Sequence, residues 1–317
     1  MIIPPTPEHI LNAAQRLAAG ELLGLPTETV YGLAADASNA AAVALIYSAK
    51  GRPADHPLIV HLAPQADLSH WAAVTPDFAV DLMKAFWPGP LTLVLPRTAH
   101  AKDFITGAQN TVALRCPAHP VAQAVLKTCL GFGIQGLAAP SANRFGRVSP
   151  TTAQHVEDEF AGAIATLEGG ACDVGIESTI VDCTELSPRV LRHGAITHSQ
   201  IEQATGIQTP ATAAHRAAPR VSGSLAAHYA PATPLRFCSL AAAEQLEKNV
   251  VYMGFDAPRT SAFHAMPRDA ARYAQQLYAT LRALDTMQYS QIAVQPVPHE
   301  AAWAGVADRL ARAAASF

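Results

Sequence analysis

Short apolar runs alternate with helical patterns over the first two thirds of the chain. Residues 8–19 carry apolar side chains at helical spacing, which predicts a helix followed by a strand at 21–25. A second helix is predicted over 39–49, with Ser38 as its N-cap. Further strands are predicted at 57–62, 91–95, 111–115, 178–183 and 189–192, and further helices at 76–86, 118–130 and 151–159. The pattern predicts an α/β domain with a mixed sheet.

The pattern changes near residue 206. Residues 206–231 are rich in Ala, Pro, Ser and Thr and lack an extended apolar face, which is typical of a linker. Beyond them, strands are predicted at 234–238, 250–255 and 291–297, and helices at 240–248, 268–284 and 301–315. This rhythm predicts a small, Rossmann-like parallel α/β domain. We therefore expect a domain at 1–205, a linker or lid at 206–231 and a second domain at 232–317.

Composition limits the class of protein. The 317 residues are 50% hydrophobic and 15% charged, which suffices for two packed domains. A net charge of -3 argues against a protein whose main task is to hold bulk nucleic acid through its phosphates. Five cysteines without a C-x-x-C pair favour a reducing compartment over a disulfide framework or a thiolate zinc site. With no signal-peptide pattern and no long apolar run, the sequence predicts a soluble cytoplasmic protein.

The common nucleotide, zinc-protease and hydrolase motifs are absent from the sequence. A K-x-R pair, Lys50 and Arg52, follows the second predicted helix. If the chain is extended there, both side chains share one face and form a doubled cation for a polyphosphate or a carboxylate. The alternative is a solvated helix end whose basic residues favour the negative pole of the helix.

A second polar group lies in "APSANRFGRVSP". Ser141 and Asn143 are two residues apart and should share a face, with Ser149 following, although a plain Ser/Asn/Gly turn would look the same. Arg115 and Arg192 end two predicted strands, where arginine often serves only as a surface cap. If these groups converge with the K-x-R pair, they would form an anion-binding site.

Six segments of sequence occur in an order and spacing that are typical of one enzyme family: "PTETVYGL", "KGRPADHPLIVHL", "FWPGPLTLVL", "TVALRCPAHP", "APSANRFGRVSPTTAQHV" and "GIESTIVD" with "RVLRHGAI". On these motifs the chain resembles the threonylcarbamoyl-AMP synthase family, in its long form with an additional C-terminal domain. The resemblance runs from Leu22 to Ile196 and resumes at "HYAP", residues 228–231. It implies a YrdC-like twisted mixed sheet around a large concave cavity.

The resemblance also implies a reaction. L-threonine, bicarbonate or CO2, and ATP would give L-threonylcarbamoyl-adenylate and pyrophosphate, with Mg²⁺ bound to the ATP and no tightly bound, protein-ligated metal. The product would pass to a tRNA threonylcarbamoyl transferase complex that modifies the adenosine next to the anticodon in tRNAs reading codons that begin with A. Neither stable tRNA binding nor membrane association is expected of the chain itself.

Site residues are carried over by motif. The residues that fall where the family holds threonine are Thr29, His61, Arg115 and Ser178. Those that fall where it holds ATP or the adenylate are Lys50, Arg52, His56, Thr111, Ser141, Asn143, Ser149 and Arg192. Lys50 and Arg52 would act in catalysis by stabilising charge on the phosphates. His228 and Tyr229 of the linker also match, and we expect them to fold over the adenylate as a lid; the alternative is a Tyr-Pro anchor that packs the linker on the domain surface.

Two departures from the family pattern matter. His56 stands where the family usually has Asn, and the charge of an imidazole varies with pH. The linker reads "VSGSLAAHYAP", where many relatives have a proline-glycine-methionine segment with basic residues. Contacts from those basic side chains are not carried over to this chain.

The sequence leaves three alternative functions. An RNA-binding module is disfavoured by the net negative charge, the 6% aromatic content and the lack of an RRM signature. A carbamoyltransferase resembling the YrdC-like part of hydrogenase-maturation proteins would be expected with acylphosphatase and zinc-finger segments, which this sequence does not show. A regulatory amino-acid sensor would bind without turnover, so an assay for pyrophosphate release separates it from a synthase.

Overall fold

The structure of the protein, a computed structural model, describes residues 1–209, 218–223, 225–259 and 261–317. The predicted linker, residues 206–231, lies outside the described residues at 210–217 and 224. Its two flanks are described and are treated below.

A large twisted sheet forms the first part of the chain. In the described residues it contains ten strands in the order β1-β8-β2-β3-β7-β4-β6-β5-β9-β10, with parallel and antiparallel neighbours. Its strands are β1 (Ile2–Ile3), β2 (Leu23–Leu25), β3 (Gly32–Asp36), β4 (Ile59–His61), β5 (Leu91–Pro96), β6 (Thr111–Arg115), β7 (Leu137–Ala138), β8 (Thr166–Leu167), β9 (Thr179–Asp182) and β10 (Arg189–Arg192). The predicted mixed sheet is confirmed.

Helices cover this sheet and bury its apolar side chains in two clusters. They are α1 (Pro7–Ala18), α2 (Ala40–Lys50), α3 (Asp77–Phe86), α4 (Asp103–Thr106), α5 (Pro120–Leu130), α6 (Ala153–Phe160) and α7 (His198–Thr205). Helix α2 is capped by Asn39, whose side chain accepts hydrogen bonds from the backbone N–H groups of Ala41 and Ala42 at 3.0 and 3.2 Å. The predicted N-cap, Ser38, is wrong, because the helix begins at Ala40 and the side chain of Asn39, directly before it, accepts from the first turn.

The second part of the chain forms a separate parallel sheet in the order β11-β14-β12-β13. Its strands are β11 (Leu235–Phe237), β12 (Val250–Gly254), β13 (Ala262–Ala265) and β14 (Gln291–Val294), and its helices are α8 (Leu240–Ala243), α9 (Ala270–Thr286) and α10 (Ala304–Ala314). The predicted small parallel α/β unit is confirmed, although α8 is shorter than predicted and β13 was not predicted. None of the helices in the described residues is long and apolar enough to cross a membrane.

Candidate active site

A partly open cavity lies at the large sheet. Its wall combines side chains from the ends of α2, β4, β6 and β10, from the turn after β7 and from the segment before β11. The sequence-predicted residues in this wall are Thr29, Lys50, Arg52, His61, Arg115, Ser141, Asn143, Ser178, Arg192, His228 and Tyr229. Side chains far apart in sequence therefore meet at one hollow.

Three predicted residues do not line this wall. Ser149 is buried behind it and donates its hydroxyl hydrogen bond to Glu177 at 2.5 Å. Thr111 lies at a separate small cavity, and the ring of His56 meets the edge of Phe145 at a centroid distance of 5.5 Å. Their roles in binding ATP or the adenylate stay predictions.

Lys50 and Arg52 form the cationic part of the wall, yet not in the predicted extended geometry. That expectation is wrong, because Lys50 ends α2 and Gly51 is left-handed with φ of +62°. The Lys50 ammonium donates to the carbonyl oxygens of Ser141 and Asn143, the latter at 2.6 Å, and so holds the turn after β7. Burial, followed by the charge of Arg52, lowers the pKa of Lys50 well below its usual range, whereas the carboxylates of Glu159 and Glu177 oppose this shift and favour the charged ammonium.

The Arg52 guanidinium is almost fully buried and donates to the Pro57 carbonyl at 2.8 Å and to the Ser222 hydroxyl at 3.1 Å. Burial lowers the pKa of Arg52 to about 10, so the side chain stays charged at neutral pH. Arg192 shares Ser222 with Arg52: it donates to the Ser222 carbonyl and to the Ser178 carbonyl and hydroxyl, at 2.8 to 3.0 Å. We call Lys50, Arg52 and Arg192 the cationic cluster.

At the other end of the cavity, strands β4 and β6 pair His61 directly with Arg115, which places both side chains on one face. The Arg115 guanidinium donates to Glu28 at 2.6 Å, to the Thr29 hydroxyl at 2.8 Å and to the Gly89 carbonyl at 3.2 Å. Among the described residues, three of its five N–H donors have partners, and two have none. A buried carboxylate holds this guanidinium in place.

The predicted lid residues, His228 and Tyr229, line the cavity, and their role as a lid stays a prediction. We call residues 218–223 and 225–231 the cover segment; it contributes Ser222, Gly223, His228 and Tyr229 to the wall. The Tyr229 ring stacks on Tyr278 of α9 at 5.9 Å. The backbone of Tyr229 is left-handed, with φ of +61°, an uncommon conformation for this residue type that packing on α9 holds.

Four buried side-chain polar atoms of the wall have no hydrogen-bond partner within the described chain. They are Arg52 Nε, Asn143 Oδ1, His228 Nδ1 and the Tyr229 hydroxyl. Buried polar atoms normally have partners, so these four are available to a polar ligand or to water in the cavity.

Glu177, Phe145 and Ser222 also line the cavity, and sequence reasoning missed them. Glu177 directly precedes Ser178 within the quoted motif "GIESTIVD", so the motif itself was the available signal. Burial alone would raise the pKa of Glu177, but Arg309, Arg192 and the hydrogen bonds from Ser149 and Arg309 outweigh burial and hold it at about 2. A carboxylate charged at neutral pH thus lies in a largely cationic wall.

His61 and His228 are buried neutral, because burial lowers the pKa of each to about 3. Because each pKa is lower in the folded chain, the unfolded chain binds a proton at a higher pH. The stability that each neutral histidine contributes is therefore fully present above about pH 6.5 and is lost as the pH falls toward 3. From pH 7 to 5 we expect each histidine to lower the free energy of unfolding by about 2 kcal/mol.

This acid sensitivity can be measured by urea denaturation at both pH values. His228→Asn should remove about half of the two-histidine contribution to the drop, whereas His299→Asn, at an exposed position, should leave the drop unchanged. An unaltered drop in His228→Asn would contradict the buried neutral state of this imidazole.

The sequence predicts that His56→Asn keeps activity and flattens the dependence of activity on pH between about pH 6 and 8. Partial burial, followed by the charge of Arg52, lowers the pKa of His56, so the structure moves the expected change to the acidic end of that range. The measurement is kcat/KM against pH for both proteins. Superimposable profiles would remove His56 from the phosphate site.

Chemically, the cavity offers a guanidinium with hydroxyls at one end and clustered cations at the other. Such a wall suits a zwitterion beside a phosphate chain. Within the described residues, no group of three or more His, Cys, Asp or Glu side chains is placed to hold a metal ion.

Comparison with known proteins identifies the family. A family model described as "Telomere recombination" (Sua5_yciO_yrdC) matches residues 15–194, and one described as "Threonylcarbamoyl-AMP synthase, C-terminal domain" matches residues 196–315. The crystal structure of Pyrococcus abyssi Sua5 complexed with L-threonine aligns with a TM-score of 0.89 and 34% identity, over 100% of this chain and 98% of that chain. The predicted YrdC-like fold with an added domain is confirmed.

Curated relatives carry the same name. The threonylcarbamoyl-AMP synthase of Schizosaccharomyces pombe is 34% identical over 98% of this chain and 90% of that protein. That of Bacillus subtilis is 44% identical over 73% of this chain, and the match spans 66% of that protein, just under two thirds. That of Pyrococcus abyssi is 46% identical over 61% of this chain and 56% of that protein. Two family models over most of the chain and a relative matched along nearly its whole length show that this chain belongs to the threonylcarbamoyl-AMP synthase family.

Proposed function

We propose that this chain is an L-threonylcarbamoyladenylate synthase, which forms threonylcarbamoyl-AMP and pyrophosphate from L-threonine, bicarbonate or CO2, and ATP. The observation that carries the proposal is one cavity with Arg115 and Thr29 at one end and the cationic cluster at the other, and with the Ser178 hydroxyl accepting a hydrogen bond from Arg192 of that cluster at 3.0 Å. The two ends suit an amino acid and a triphosphate, and the shared hollow would bring them into contact.

Threonine would bind at the Arg115 end. The two remaining N–H donors of Arg115 suit its carboxylate, and the hydroxyls of Thr29 and Ser178 suit its polar side chain and amine. A site that hydrogen-bonds the substrate hydroxyl discriminates strongly against amino acids that lack one. The solved relative in complex with L-threonine supports this choice of amino acid.

ATP would bind as its Mg²⁺ complex along the cationic cluster. Lys50 and Arg52 would meet the phosphate oxygens, with Arg as a fork and Lys as a compact charge. The unpartnered atoms of Asn143, His228 and Tyr229 would complete the contacts to the nucleotide. In this proposal Mg²⁺ arrives as part of the substrate.

The reaction needs no protein nucleophile. The threonine nitrogen forms a bond to the carbon of CO2 and releases a proton, which gives a carbamate. A carbamate oxygen then attacks the α-phosphorus, the bond to the bridging oxygen breaks, and pyrophosphate leaves with its charge neutralised. The protein contributes positioning and cationic stabilisation of the phosphates.

The test is to incubate the protein with ATP, Mg²⁺, bicarbonate and single amino acids, and to follow pyrophosphate release. We expect release that depends on threonine, far weaker release with alanine, and an adenylate of the matching mass. RNA binding without release would favour the RNA-binding alternative, and amino-acid binding without release a sensor.

Two wider expectations belong to the same proposal. The adenylate would be consumed by a tRNA threonylcarbamoyl transferase complex, and the reaction would take place in the cytoplasm, where ATP and tRNA are available. Pull-down of transferase components with the tagged chain in cell extract, and fractionation of cells, test these two points separately.

A further inference from the structure

Glu177 stands out because it is the one acidic residue in the described cavity wall. It is buried together with the cationic cluster. A free carboxylate there would pair with those cations and repel the phosphates of a nucleotide. The Glu177 carboxylate must therefore be paired with another group, outside the cationic cluster, if the wall is to bind a triphosphate.

The C-terminal domain supplies that partner. Arg309 of α10 donates from Nε to Glu177 Oε2 at 2.8 Å, and the Tyr278 hydroxyl of α9 donates to the same oxygen at 2.9 Å. The Arg309 side chain is fully buried and also donates to the His193 carbonyl at 2.8 Å and to Asp308 at 2.7 Å. Arg309 is thus held in one position, 132 residues from Glu177 in sequence.

Close backbone contact places these helices against the wall. A Cβ atom added at Gly305 of α10 would lie 2.9 Å from the Gly194 carbonyl oxygen, and one added at Gly175 would lie 2.4 Å from Cα of Gln275 in α9. Gly305 and Arg309 are four residues apart on one helix and share a face. The contact that needs glycine therefore also directs Arg309 toward Glu177, which lines the cavity.

We propose that Arg309 is a positioning residue for nucleotide binding: it holds the charge of Glu177 and so leaves the cationic cluster free for the phosphates of ATP. The inference rests on the proposed function for the identity of the nucleotide. Arg309 also lies under the Tyr229 ring, 5.1 Å from its centroid, and therefore supports the cover segment from the same place.

The test compares Arg309→Met with the double variant Glu177→Gln/Arg309→Met. In the single variant the carboxylate turns to Lys50 and Arg192, so we expect the ATP KM and the calorimetric Kd of a non-hydrolysable ATP analogue to rise about tenfold or more. The threonine KM should change by less than about threefold, because Arg115 is untouched. The double variant, with no charge on either side chain, should bring both ATP constants back to within about threefold of wild type.

Two further variants complete the design. Arg309→Lys should retain most of the ATP affinity, and Arg272→Met, which removes an exposed arginine of α9, should change neither KM. Equal rises in the ATP and threonine KM values, or a double variant that binds ATP no better than the single one, would overturn the proposal in favour of a purely structural pair. If wild type released no pyrophosphate, the proposed function would fail, while the calorimetric comparison would still decide the role of Arg309.

Discussion

Lys50→Ala is expected to lower turnover by about 10²- to 10³-fold, the loss that follows removal of one preorganised charge from a site where negative charge develops. Lys50 is buried in the cavity wall beside Arg52, so water cannot replace its ammonium as a partner of the phosphates. Arg52→Ala should have an effect of similar size. Near-normal rates in both variants would refute the role proposed for this pair.

The structure gives Lys50 a second task that the experiment must separate. Its ammonium holds the carbonyl oxygens of Ser141 and Asn143, and alanine would leave them without this partner, at about 1–3 kcal/mol of stability for each buried acceptor. Urea denaturation measures that cost, and single-turnover kinetics at saturating ATP measures the chemical step. Lys84→Ala, at an exposed lysine paired with Asp81, is the matched control and should alter neither.

Arg115→Met is the second large effect, and we expect it to raise the threonine KM by about 10²-fold or more while the ATP KM changes little. The substitution removes the proposed partner of the substrate carboxylate. It also leaves Glu28 buried without its cation, which should cost about 3–5 kcal/mol of stability.

Glu28→Gln/Arg115→Met should recover much of that stability without recovering threonine affinity, because a neutral amide no longer needs a cation. Breaking the exposed Arg268–Asp256 pair with Arg268→Met is the control and should cost at most about 1 kcal/mol. If the two KM values rose together in Arg115→Met, the assignment of this end of the cavity to threonine would be wrong.

The sequence predicted the longer elements well, because their apolar periodicity reflects burial that the structure keeps. Strands β6 and β10 were predicted with their observed bounds. The two-residue strands β1, β7 and β8 are too short to carry any period, so only their pairing defines them. The Ser38 error arose because Ser38 and Asn39 are adjacent and both are good N-cap residues, and the apolar pattern does not fix the first helical residue to within one position.

For the site, the order of the motifs predicted which residues converge. The structure adds the hydrogen bonds and ion pairs that fix their side chains. Glu28 and Arg309 gave no local signal, since a buried ion pair is recognisable only when both partners are placed. The positions of Lys50 and Arg52 likewise depend on Gly51, which is left-handed. The prediction that both side chains share one face assumed an extended chain and therefore missed this turn. Ligand roles at these positions stay predictions for the variants above.

The contact between α10 and the cavity wall limits how this chain can be shortened. A version cut after residue 205 would lose Arg309 and Tyr278 together, and Glu177 would be left facing the cationic cluster with only Ser149 as its remaining donor among the hydrogen bonds of the described chain. An enzyme reduced to residues 1–205 would need a neutral residue at position 177, or another cation within residues 1–205 to replace Arg309. The C-terminal domain is therefore not a modular accessory, and a chimera with a relative should exchange both sides of this contact at once.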